Sequence, residues 1–135
     1  MESVAFANLL PWGSSPDLNS LLAALNNNQA KRATAFADDM LGQLLGLLRP
    51  TLVVAPRSIG AQLRATELGR QQRTGKVSSF QYASGKGTSP LNYYVGSVHD
   101  AKLLQLPHRA SIRATHAGRA QLAPHLRSLF EELLS

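Results

Sequence analysis

Three apolar runs in this chain stop at a proline: "VAFANLLP" at Pro11, "TLVVAP" at Pro56 and "LLQLP" at Pro107. Proline has no N–H to give to a ladder, so each run is confined to a short strand that breaks into a loop. The β-branched "TLVVAP" reads as a strand covered on both faces, and "AKLLQLPH" reads as a further buried strand. A chain built from such strands must fill the intervals with elements that cover them.

Those intervals carry helical periods. From Gln29 to Leu48, the residues Phe36, Met40, Leu44, Leu47 and Leu48 recur at spacings of three and four, which predicts a helix packing on that face until Arg49-Pro50 ends it. After "TLVVAP", the segment "RSIGAQLRATELGRQQ" opens with Ser58 as an N-cap and turns Ile59, Leu63 and Leu68 inward, half of a βαβ unit. Two aromatic and β-branched runs around a Gly/Ser/Pro loop, "KVSSFQYASGKGTSPLNYYVGSVHD", predict a hairpin or an extended excursion from the sheet. The closing segment sets Leu122, Leu126, Leu129, Phe130 and Leu133 on one stripe, a helix laid on a sheet with Pro124 in its first turn. This order predicts an α/β fold: one domain over 1–135, three-layer α/β/α, with a mainly parallel central sheet.

Composition bounds the function. With no cysteine among 135 residues, disulfides, thiolate-bound zinc and cysteine-held iron–sulfur clusters are excluded. No run of about eighteen apolar residues suits a membrane span, and no basic flank followed by an apolar signal region opens the chain. A soluble protein of the cytoplasm, with no membrane partner, is expected. Between Arg49 and Arg127 stand twelve Lys or Arg against Glu67 and Asp100, while the first 48 residues are slightly acidic. A basic excess concentrated in this way suits a polyanion, because each cation that meets a phosphate releases counterions. Its plain alternative is a solvated surface.

In sheets of this kind ligands meet the loops at the carboxyl ends of the strands. Three loops qualify: Asn8 to Asp17, Pro56 to Gly60, and Pro107 to His116. They open with Asn8 and Trp12, with Arg57 and Ser58, and with His108, Arg109, Ser111 and Arg113. In order and separation, "VAFANLLPW", "LLRPTLVVAPRSIGAQL" and "LLQLPHRASIR" resemble the C-terminal two thirds of the uracil-DNA glycosylase superfamily. The resemblance implies a DNA-binding protein of base excision repair that hydrolyses the N-glycosidic bond of a flipped base. On that reading Asn8 reads the base edge, and His108 stabilises the oxygen anion that develops as the base leaves. Arg57 and Ser58 seat a phosphate, and Ile112 is the apolar wedge that fills the emptied stack. Arg109, Ser111 and Arg113 meet the backbone.

The chain also departs from that pattern. Arg109 and Ala110 stand where the family has Pro and Ser, and the family's first motif, with its water-positioning acid and stacking aromatic, has no counterpart ahead of Asn8. Three readings follow: a relative truncated at its N-terminus, a fragment whose N-terminal portion lies elsewhere, or a relative that has kept the nucleic-acid surface without the reaction. Loss of that acid would remove a contribution of about 10²–10⁴ in rate. The rival readings are a non-catalytic module that binds nucleic acid or a partner protein, and a subunit that pairs with another chain, or its own copy, through an open sheet edge. Each site residue also has a local alternative: an Asn that bonds its own turn, a Ser that only caps a helix, a strand-end His bonded to backbone. No cofactor is expected. His99, His108, His116 and His125 are spaced by eight or nine residues, which suits no metal site, and "SGKGTS" lacks the upstream glycine of a phosphate loop.

Overall fold

The computed structural model describes residues 24–57, 75–107 and 111–135. Two compact units divide the chain, Met1–Leu48 and Arg49–Ser135. The expected strand around Asn8 and the expected helix after Ser58 lie outside the described residues.

Helix α1 spans Asn27–Leu48 in the first unit. Its start is a reciprocal capping box: the Gln29 N–H donates to Asn26 Oδ1 at 2.9 Å, and the Asn26 N–H donates to Gln29 Oε1 at 3.1 Å. The buried stripe is not the predicted one. Ala37 and Leu45 are buried, whereas Phe36, Met40, Leu47 and Leu48 are exposed, Leu47 by 83%. Small residues at Ala30, Ala33 and Ala37 form a second stripe beside the large one, so the helix is apolar around much of its circumference. A period of 3.6 does not choose between two such stripes.

The second unit is a four-stranded sheet in the order β1-β4-β3-β2, with β1 Leu52–Pro56, β2 Lys76–Ser84, β3 Gly87–Val98 and β4 Ala101–Leu106, followed by helix α2, His116–Leu134. The α/β class holds, but the sheet is mixed and mostly antiparallel rather than mainly parallel. Only β1 and β4 run parallel, with Leu52 opposite Lys102 and Pro56 opposite Leu106. The reason is the length of the connections. Gly85-Lys86 joins β2 to β3, and His99-Asp100 joins β3 to β4; two residues cannot carry the crossover that a parallel pair needs. Of the two expected forms, hairpin or excursion, this segment takes the hairpin, inside the sheet.

One face of the sheet takes α2. Phe80, Tyr82, Leu91, Tyr93, Val95, Leu104 and Leu106 pack with Leu122, Leu126, Leu129, Phe130 and Leu133 into one core, the stripe that the period of α2 predicts. Strand alternation turns Ala55, Val98, Ala101, Leu103 and Gln105 to the opposite face, and these are buried too. Pro124 does not lie in the first turn. Helix α2 begins at His116, two turns earlier than expected, because Thr115 caps it: Thr115 Oγ1 accepts from the Gly118 N–H at 3.1 Å. The exposed Pro124 is therefore inside the helix, where it leaves the Ala120 carbonyl without its usual donor.

The start of α2 is fastened to the edge strand β2. The Thr115 N–H donates to the Ala83 carbonyl at 3.1 Å, the Ala83 N–H donates to Gln121 Oε1 at 2.8 Å, and Ser84 bridges Ala114. Both backbone groups of Ala83 face away from β3, so helix and cap seal this part of an otherwise open edge. Gly118 sits at the crossing. A Cβ there would collide with the Ala83 carbonyl oxygen, so glycine is what allows the close approach.

Candidate functional site

The pairing of β1 with β4 sets the starts of two of the three predicted loops, Pro56 and Pro107, at one end of the sheet. Both strands point the same way, so Arg57 and Pro107 leave the sheet at the same end. Strand β3 is antiparallel to β4 and pairs with it only from Tyr94 to Val98, so residues 87–93 extend past the end of β4, a length of roughly 20 Å. Pro90 lies in this overhang opposite Gln81, where its missing N–H breaks no bond to β4. Past the end of β4, Ile112 packs on the α2 side of the sheet and Ala114 bridges Ser84 at the outer edge of β2.

Described cations stand at this end and beyond it. Arg57 closes β1, while Lys86 forms the β2–β3 turn at the far tip of the overhang, and Arg113 and Arg119 flank the capped start of α2 beside Ser84. All but Arg57 are exposed. The described acids of this unit lie at the other end: Asp100 in the β3–β4 turn, and Glu131 and Glu132 in the last turns of α2, where Lys102 Nζ donates to the Ser135 carbonyl at 3.3 Å. Lys102 shares that end with them, whereas Lys76, paired with Val95 and so level with Leu104, stands midway. The unit is thus polarised, cationic at the hairpin tip beyond the end of β4 and mixed where β1 and β4 begin.

Arg57 faces inward rather than out. Its guanidinium lies 4.8 Å from the centroid of the Tyr94 ring, donates through Nη1 to the Asn92 carbonyl and through Nη2 to Tyr94 Oη, both at 3.3 Å, and buries Nε without a hydrogen-bond partner among the described residues. Arg113 and Ser111 are exposed. Ile112 packs against the core cluster, and the wedge that the resemblance assigns to it would have to leave that packing. Asn8, Ser58, His108 and Arg109 lie outside the described residues.

The tyrosines serve packing. Tyr82 and Tyr93 are buried in the core, and His125 stacks on Phe80 at 4.0 Å with its Nε2 3.4 Å from Tyr93 Oη. Lys86 and Arg119 were not legible as site residues, because only the bridge from Ser84 to Ala114 brings the hairpin turn to the start of α2. Among the described residues no three His, Asp or Glu side chains gather as metal ligands do, and no helix is long and apolar enough to cross a membrane. No family model, no curated protein and no solved structure matches this chain.

Proposed function

We propose that this chain binds nucleic acid, with DNA the polymer that the sequence resemblance implies, through the cationic end formed by the β2–β3 turn and the start of α2. One observation carries the reading: Lys86, Arg113 and Arg119 are exposed together at one end of the unit, while Asp100, Glu131 and Glu132 stand at the other. A field divided in this way orients a polyanion, which an even scatter of the same charges would not do. The hairpin overhang is long enough to follow several phosphates, since duplex DNA carries a charge about every 1.7 Å of its axis. Contacts of this kind position the protein without reading bases, so the binding is largely independent of sequence.

Hydrolysis of an N-glycosidic bond by a fold like that of the uracil-DNA glycosylases is the finer reading. It rests on Asn8 and His108 alone, and no carboxylate stands at the cationic end among the described residues of this unit. The binding module is therefore the conclusion. Its test is a salt-titrated binding curve on a uracil-containing DNA strand, with base release followed in the same tubes. Binding whose logarithm falls steeply with the logarithm of salt is expected; binding that ignores salt, or no binding at all, would sink the proposal. Release of uracil that His108→Ala abolishes would add catalysis to the binding.

A further inference from the structure

We infer that Arg57, although it is a cation at the end of β1, is a positioning residue that clamps β1 to β3 and does not itself meet a phosphate. The inference rests on the nucleic-acid reading for its effect on binding, and on geometry alone for the clamp. A guanidinium has five N–H donors in a rigid fork and is free to grip an anion only if its outer edge is open. Here each terminal nitrogen commits one of its two N–H groups, Nη1 to the Asn92 carbonyl and Nη2 to Tyr94 Oη, which turns the fork toward β3. The Tyr94 ring takes one face of the plane, and Nε is buried. The group lies just past the end of β4, where Asn92 belongs to the overhang that β4 does not pair. Arg57 thus ties the end of β1 to the base of the projecting hairpin across the missing length of β4. The clamp fixes the base of the hairpin whose tip carries Lys86 and, through the bridge from Ser84 to Ala114, lies against Arg113 and the start of α2.

Two variants and two readouts test this. On duplex DNA, Arg57→Gln is expected to weaken binding at every salt concentration while leaving the salt slope unchanged, whereas Arg113→Gln makes the slope shallower by about 0.9, one phosphate's worth. A slope that falls as far in Arg57→Gln as in Arg113→Gln would show Arg57 on a phosphate and overturn the inference. Lower thermal stability with wild-type affinity would also overturn it, since the clamp would then position nothing that binds. The second readout needs no ligand. Arg57→Gln and Tyr94→Phe, singly and together, are expected to lower the melting temperature less in combination than the sum of the two, the mark of a shared interaction. Strict additivity would remove the clamp even if DNA binding holds, and coupling without any DNA binding would keep the clamp while the nucleic-acid reading fails.

Discussion

Gly118 shows how far one residue's environment can reverse its local preference. In an exposed helix interior, alanine is better than glycine by about 1 kcal/mol. At position 118 the added methyl meets the Ala83 carbonyl, which is backbone and is already held by Thr115. Gly118→Ala should therefore destabilise the protein, by about 2–3 kcal/mol, as overpacking does when no flexible side chain can yield. A urea transition with a lower midpoint and an unchanged m value would record it; a higher midpoint would mean that α2 can slide off β2 freely. Thr115 works at the same junction, accepting from Gly118 and donating to Ala83 through its hydroxyl and its N–H. Thr115→Ala, which keeps the backbone bond and removes the hydroxyl, should cost about 1 kcal/mol in the same measurement.

At the scale of elements, α2 contains a proline that its packing tolerates. Pro124 is exposed, while Gly118, Leu122, Leu129 and Leu133 bury the opposite stripe. An interior proline costs about 3 kcal/mol through the lost bond and the crowding of the preceding turn. Pro124→Ala should raise stability by about 1–3 kcal/mol without touching the core, and a higher melting temperature would be the sign of it. No rise would indicate that the helix bends there to follow the twist of the sheet. The inward stripe of α2 was legible because large apolar residues recur on one side only. The stripe of α1 was not, because alanines and leucines flank each other around that helix. Where α2 begins was also hidden: the cap at Thr115 acts with the carbonyl of Ala83, on a strand far away in sequence.

At the scale of the whole molecule the separated charges make the sharpest forecast. Lys86→Gln, Arg113→Gln and Arg119→Gln should each make the salt dependence of DNA binding shallower by about 0.9, while Lys102→Gln at the mixed end and Lys76→Gln midway along the unit should leave it as it was. Equal effects from both groups, read from fluorescence anisotropy across a salt series, would mean that total charge matters and its placement does not.

Local chemistry by itself determined which stretches want to be strands and helices, where β1 and β4 stop, and that the C-terminal part carries the positive charge. Those follow from the missing N–H of Pro56 and Pro107, from the period of the leucines in α2, and from counting. Strand direction, the buried stripe of α1, the start of α2 and the inward turn of Arg57 were decided only by tertiary structure. Each depends on a partner remote along the chain: β4 for β1, Ala83 for Thr115, Tyr94 for Arg57. A local period records how much a residue gains from burial, whereas pairing and register are selected by the summed fit of distant surfaces, which no window of sequence contains.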